Sequence, residues 1–77
     1  MAKGDRISVG IRNDLGPLTS HEIVAKQNGR SVTSTIENEN KVNWLVLQEV
    51  TRGGTVIEEV KVQLNDVVLI KTTKKEG

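Results

Sequence analysis

The sequence offers few side chains in arrangements that could carry out covalent chemistry. His21 and Glu22 are its only neighbouring histidine and carboxylate. A zinc-protease helix would need a second histidine three residues after the glutamate, where Ala25 stands. A serine nucleophile needs a base that a third group orients, and His21 is the only histidine that could act as one. Since no serine lies in a nucleophile-elbow motif, we predict that the protein is not an enzyme.

The sequence also has few residues that could form a metal or cofactor site. The chain has no cysteine, which excludes disulfides, thiolate metal sites and thiol catalysis. Neither of the common glycine-rich phosphate-binding motifs is present. Glu58 and Glu59 are adjacent, so on a strand they point to opposite faces and cannot act as an acid–base pair. Residues 37–40 are interpreted as a polar connection whose carboxylates are solvated. We therefore predict no catalytic residue, no metal and no cofactor.

Basic residues gather towards the two ends of the chain, and the middle is acidic. If the first and last strands are neighbours, as they commonly are in SH3-like barrels, Arg6 and Arg12 lie near Lys71 and Lys74. Such a patch would contact phosphates of RNA or DNA. Trp44, the only aromatic residue, could stack on a base. An ordinary solvated edge is the alternative, and a lone tryptophan in a strand is more often part of a core or interface.

Composition indicates a small β domain. The 77 residues include 11 valines, 6 isoleucines and 7 threonines, and β-branched residues favour strands. A chain of this length buries only about 60–65% of its unfolded surface, so small domains often gain stability from disulfides, metals or partner subunits. Without cysteine, and with a single histidine, homo-oligomerisation is the reinforcement that remains. We expect one domain over 1–77, with flexible ends at 1–5 and 74–77.

Two regions have clear strand patterns. Residues 6–12 alternate, with Ile7, Val9 and Ile11 on one face. The runs 42–50 and 55–64 flank Gly53-Gly54 and predict a central hairpin. A two-residue loop at these glycines sorts most apolar residues of the hairpin into one face, with the opposite pairs Leu45–Val62 and Leu47–Val60. The same register places Glu49 opposite Glu58, a like-charge pair that a longer loop or a bulge near Arg52 would relieve.

The segment 18–29 has two interpretations. Thr19 and Glu22 could form the capping box of a short helix that ends at Gly29. Alternatively, Asn28-Gly29 is a type I′ turn that pairs the segment with the following strand. We favour the hairpin, because its register sorts the residues of both strands into faces at once.

Several strands are apolar on both faces, which favours a sandwich or an oligomer interface. The central hairpin carries apolar residues on both of its faces. The last strand, 67–73, begins with four consecutive apolar residues, so one of its faces needs a second cover. The predicted interface residues are Trp44, Val46, Ile57 and Leu69.

These patterns predict an all-β fold, either a small five- to six-stranded barrel or a strongly bent antiparallel sheet. SH3-like, Sm-like and OB layouts all fit. The alternative is an α+β fold with one short helix near 19–28. The run 32–47, preceded by Asn28-Gly29-Arg30, resembles the first part of an Sm domain in layout. An Sm-like chain starts with a helix where this one starts with a strand, and no Sm-type RNA-contact residues are recognisable, so we assign no family.

We expect a non-catalytic binding module that is oligomeric and binds nucleic acid weakly through its terminal strands. The alternative is a protein–protein assembly module that uses the Trp44 face or strand 67–73. No apolar run reaches the ~20 residues that span a bilayer, and residues 1–5 lack the apolar core of a signal peptide. We therefore expect a cytoplasmic protein that does not bind membranes.

Overall fold

The computed structural model describes residues 3–13 and 16–74. Six strands and one 3₁₀ helix follow one another along the chain, and these residues contain no α-helix. In order they are β1 (Arg6–Ile11), β2 (Thr19–Val24), β3 (Ser31–Glu39), β4 (Val42–Val50), β5 (Val56–Gln63), the 3₁₀ helix Leu64–Asp66 and β6 (Val67–Thr73).

The strands form two antiparallel sheets of three strands each. The β1 sheet has the order β2-β1-β6, and the β4 sheet has the order β3-β4-β5. Between the sheets, contacts run mainly from β2 to β4 and β5, and from β1 to β3. The buried apolar cluster between them consists of Ile7, Val9, Ile23, Leu45, Leu47 and Val62. The prediction of a small, mostly β fold is confirmed, and the described strands do not close into a barrel.

The register predicted for the central hairpin is confirmed, but its loop is longer than predicted. Leu47 lies opposite Val60, and Glu49 lies opposite Glu58. The register shifts after Glu49, so Val50 faces Val56 and Ile57 is the extra residue of a bulge. The connection therefore covers 51–55, and the two-residue loop was wrong. A β-bulge adds local twist and interrupts the ladder next to the like-charge pair.

Both interpretations of 18–29 are wrong in part. The segment contains a strand, β2, so the helix is excluded. However, β2 pairs with β1 and β3 pairs with β4, so no hairpin joins β2 to β3. Instead, a turn closed by the Arg30 N–H and the Gln27 carbonyl, 3.3 Å apart, links the two sheets. A type I′ turn needs positive φ at both central residues, whereas here only Gly29 has it, at 88°.

The predicted polar connection at 37–40 is also wrong, because β3 extends to Glu39. The turn is Asn40-Lys41, and both residues have positive φ, 52° and 66°. A two-residue loop with positive φ at both positions is a type I′ turn, whose twist matches that of a hairpin. Lysine is an unusual residue there, since its Cβ crowds the backbone in the left-handed region.

The segment between the two sheets is held by the carboxylate of Glu49, which is completely buried. Glu49 Oε2 accepts the backbone N–H of Lys26 at 3.0 Å and lies 3.4 Å from Nη1 of Arg30. Its other oxygen, Oε1, has no hydrogen-bond partner among the described residues. A buried carboxylate is costly unless it is paired, so Glu49 depends on these two partners.

Lys26 also reduces the repulsion between Glu49 and Glu58, which lie opposite each other on β4 and β5. Its Nζ lies 3.0 Å from Oε2 of Glu58, which stands opposite Glu49. This hydrogen bond, together with the charge of Glu58, raises the pKa of Lys26 above its ordinary value of 10.5. The ion pair therefore stabilises the fold below that pH, and its contribution is lost as the pH rises through the raised pKa.

The predicted flexible ends are only partly described. Residues 1, 2 and 75–77 lie outside the described residues. At the N-terminal end, Lys3 donates its backbone N–H to Oδ1 of Asn28, and Gly4 donates its own to the carbonyl of Ala25. Asp5 is buried. Residues 3–5 are thus tied to the segment that joins the sheets. Within the described residues, no helix is long and apolar enough to cross a membrane.

Replacing Lys41 by glycine should stabilise the protein. The left-handed conformation costs a residue with a Cβ roughly 1 kcal/mol, and glycine avoids this cost. We expect Lys41→Gly to raise the free energy of unfolding in urea by about 1 kcal/mol. Lys41→Ala is the matched control, because it removes the same charge but keeps the Cβ. Equal stability of the two variants would contradict the assignment of this turn.

Removing the cation beside Glu49 should be severely destabilising. Arg30→Met leaves a buried carboxylate with only the Lys26 N–H, and we expect it to lower the free energy of unfolding by about 3 kcal/mol. Adding Glu49→Gln removes the unpaired charge and should recover a large part of that loss. Urea unfolding of the wild type, both single variants and the double variant gives the coupling energy. Additive effects would show that Glu49 does not depend on Arg30.

Candidate interaction surfaces

The outer edge of β6 is an uncovered apolar strand. β6 pairs with β1 on one side, and no described strand pairs with its other side. Three consecutive large apolar residues on it are exposed: Val68 by 43%, Leu69 by 57% and Ile70 by 51%. Natural proteins usually protect such edges, because unpaired N–H and C=O groups next to apolar side chains recruit another strand. Lys71 is the only charged residue of β6.

Val67 packs against the core cluster, but beyond it the inner side of β6 is uncovered because the two sheets are offset. β1 lies against β3, while β6 lies beyond β1 and makes its main contacts with β1 alone. Ile70 is paired with the buried Val9, so the two side chains point to the same side of the sheet. Ile36 on β3 is likewise paired with the buried Leu45, yet it is 61% exposed. The space between the sheets is therefore open at its β3 and β6 end.

The apolar surface continues onto the outer face of the β1 sheet. Leu69 lies opposite Gly10, which has no side chain, and Leu18 lies against the same glycine. A Cβ on Gly10 would lie 3.4 Å from both Leu18 Cδ1 and Leu69 Cβ. The two leucines are each more than half exposed. Gly10 thus lets them flank one shallow apolar strip beside the β6 edge.

The structure brings only some of the predicted phosphate-binding residues together. β1 and β6 are neighbours, as expected, and Lys71 lies opposite Ser8, two residues from Arg6 along β1. Lys74 follows directly after the end of β6. Arg12 lies just beyond the other end of β1, about 20 Å from Arg6 at the rise of an antiparallel strand. The four residues therefore do not form a single patch.

One cation of this group is already paired. Arg6 Nη1 lies 3.6 Å from Oε2 of Glu22, on the neighbouring strand β2. The Ser8 hydroxyl also donates to this carboxylate, at 3.5 Å. Since both charged side chains are about half exposed, the pair is weak, but it reduces the positive charge of the face.

Trp44 lies on the outer face of the β4 sheet, away from the core. It borders an open groove of about 430 Å³ that is also lined by Glu39, Asn40, Val42 and Lys61. Lys61 Nζ lies 5.4 Å from the centre of the indole ring and 3.5 Å from Oε2 of Glu39. It also reaches Glu37 at 4.0 Å. The cation–π contact and the ion pairs engage these groups with one another, and the two carboxylates do not favour a phosphate.

The four predicted interface residues do not share one surface. Val46 is 1% exposed and offers almost no area to a partner. Ile57 is 49% exposed, but it lies near the opposite end of the β4 sheet from Trp44. Leu69 belongs to the other sheet. Four other exposed apolar residues were not predicted as interface residues: Leu18, Ile36, Val68 and Ile70. The apolar run 67–70 in the sequence signalled two of them, Val68 and Ile70.

The structure also shows where the candidate base and the possible metal ligands lie. His21 is exposed on β2 and lies opposite the apolar Val9 of β1. Among the residues that the structure describes, no three histidine, cysteine, aspartate or glutamate side chains are grouped so as to hold a metal ion. No protein-family model, curated protein or solved structure matches the chain.

Proposed function

We propose that this protein is a non-catalytic assembly module that accepts an extended protein strand along the free edge of β6. The observation that carries the proposal is the run Val68-Leu69-Ile70, exposed on a strand whose outer backbone edge is unpaired. An added strand would satisfy that backbone edge and cover the three side chains. Strand addition to an exposed sheet edge is a common mode of peptide recognition.

The open end of the sandwich supports the same proposal. Side chains of an added strand would alternate between the two faces of the extended β1 sheet. Those on the inner side would meet Ile36 and Ile70, and those on the outer side would meet Leu69 and Leu18. The apolar groups on both sides of β6 would then leave water, which is the main source of affinity in such contacts.

A small-barrel layout is part of this proposal. The first and last strands are neighbours, and SH3-like barrels commonly share this feature. We propose that the chain is an open relative of that architecture, in which a strand from outside fills the space beside β6. The absence of cysteine fits a reducing compartment, so we place this module in the cytoplasm.

A peptide that copies residues 66–73 should bind to the protein. We expect a fluorescently labelled peptide to show a saturable rise in anisotropy. Leu69→Lys in the protein should weaken binding about tenfold or more, equivalent to about 1.4 kcal/mol, because the new charge must be buried against apolar residues. Ile57→Lys, at a similarly exposed apolar position on the other sheet, is the matched control.

A second control tests whether the peptide binds as a strand. A version with proline at the position of Leu69 lacks a backbone donor and should bind more weakly. If neither peptide binds to protein that sedimentation shows to be monomeric, or if Leu69→Lys has no more effect than Ile57→Lys, β6 is not a site of strand addition.

Nucleic-acid binding is the second candidate. It is favoured by the adjacency of β1 and β6, which places Arg6 and Lys71 near one another on two paired strands, with Lys74 just beyond. Glu22 and the separate position of Arg12 weaken it. Trp44 lies on the other sheet, beside two carboxylates, so base stacking at Trp44 would not extend the same surface.

Salt dependence tests this second candidate. At low salt, we expect weak shifts of mixed-sequence DNA and RNA in a gel. The double variant Arg6→Ala/Lys71→Ala should bind more weakly and should lower the slope of log affinity against log salt by about two, one for each lost phosphate contact. Lys61→Ala is the control on the other sheet. Absence of a shift at low salt, or an unchanged double variant, would eliminate nucleic acid as the ligand.

A further inference from the structure

We infer that the strand added to β6 is β6 of a second copy of this chain, paired antiparallel with Leu69 opposite its own counterpart. This inference rests on the proposed function and names its partner. The sequence of β6 has a central apolar run that can pair with the same run of a second copy. In an antiparallel pair around a twofold axis, every residue of one strand faces a defined residue of the other, so each register makes a different set of contacts.

The register centred on Leu69 matches apolar residues with apolar residues. Val68 then faces Ile70 of the second copy, and Ile70 faces the second Val68. A register centred on Ile70 would instead place Leu69 opposite Lys71 and Val68 opposite Thr72. Because cross-strand neighbours determine the stability of a sheet, the Leu69 register is favoured.

The same register keeps positive charges apart. The two Lys71 side chains would be offset by four positions along the strands, about 14 Å, so their mutual repulsion is small after screening by salt. The register of β6 against β1 shifts between Gly10 and Ile11, so Val68 is the extra residue of a bulge and Val67 points inward with Ile11. Lys71, opposite Ser8, points to the outer side of the sheet, where its ammonium stays in water beside the apolar strip. Lysine on an edge usually opposes pairing, but here its position leaves the centre of the pair apolar.

The geometry of the open end also fits a second copy. A twofold axis perpendicular to the sheet would join the two β1 sheets into one of six strands, β2-β1-β6-β6-β1-β2, with the same face outward in both copies. The inner-facing Ile70 of each copy would then lie next to Val68 of the other copy. The pairing would therefore extend two small cores into one continuous core, as expected for a short chain without disulfides.

Cysteine crosslinking tests the register directly, because the chain has no native cysteine. Directly opposite residues in an antiparallel pair have Cα atoms about 4.5 or 5.5 Å apart, within the range of a disulfide. We expect Leu69→Cys to form a disulfide-linked dimer under mild oxidation at high yield. Lys71→Cys, exposed and two residues further along the same strand, should give little dimer because its sulfurs are too far apart.

A mixture of two other cysteine variants tests the register independently, in case cysteine at position 69 disturbs the strand. Val68→Cys mixed with Ile70→Cys should crosslink mainly as the heterodimer, since these positions face each other only across the two copies. Equal crosslinking at positions 69 and 71, or preferential homodimers of the single variants at 68 and 70, would overturn the register.

Sedimentation of the uncrosslinked wild type decides the identity of the partner. We expect a monomer–dimer equilibrium whose dimer fraction rises with concentration and falls in Leu69→Lys but not in Ile57→Lys. If the protein stays monomeric at all concentrations while the peptide of residues 66–73 still binds, the second copy is wrong as partner and strand addition stands. If the protein is monomeric and the peptide does not bind, both proposals fail.

Discussion

The buried carboxylate of Glu49 is the interaction on which the arrangement of the two sheets depends. Glu49 lies on β4, and it holds the backbone of Lys26 and the side chain of Arg30, which belong to the segment between β2 and β3. That segment is where the chain leaves one sheet and enters the other. Because the Glu49 carboxylate is buried, loss of its cationic partner would leave an uncompensated charge in the interior, so the fold is sensitive to that loss. On the far side of the β1 sheet, β6 lies beyond β3.

The sequence predicted the elements better than their arrangement, and the residues show why. Alternation of Leu45 and Leu47 against Val60 and Val62 defines a register, because a slip by one position would expose the whole apolar set. The burial of Glu49 has no comparable signal, since a glutamate in a strand is usually solvated. Asn28-Gly29 has the composition of a hairpin turn, but the residues of β2 found partners on β1 instead. Tertiary pairing therefore overrode a strong local signal.

The candidate surface was predictable only where the apolar run was continuous. Residues 67–70 indicated a strand in need of a second cover, whereas the exposure of Ile36 depends on the offset of the sheets, which no local pattern encodes. Trp44 was the most conspicuous residue of the sequence, yet in the structure it borders a groove whose charged groups already pair with one another. The candidate surface is instead the edge of β6, where no described strand pairs with the outer side and three consecutive apolar residues are exposed.

The central claim is that this edge is covered by a second copy of the chain in solution. Hydrogen exchange of backbone amides, followed residue by residue, tests it most directly. The β6 amides that point away from β1 should exchange slowly at high protein concentration and faster on dilution. The outward amides of β3, which is also an edge strand, should exchange quickly throughout. If the outward amides of β6 exchange as quickly as those of β3 at every concentration, the edge is unpaired and the account is contradicted.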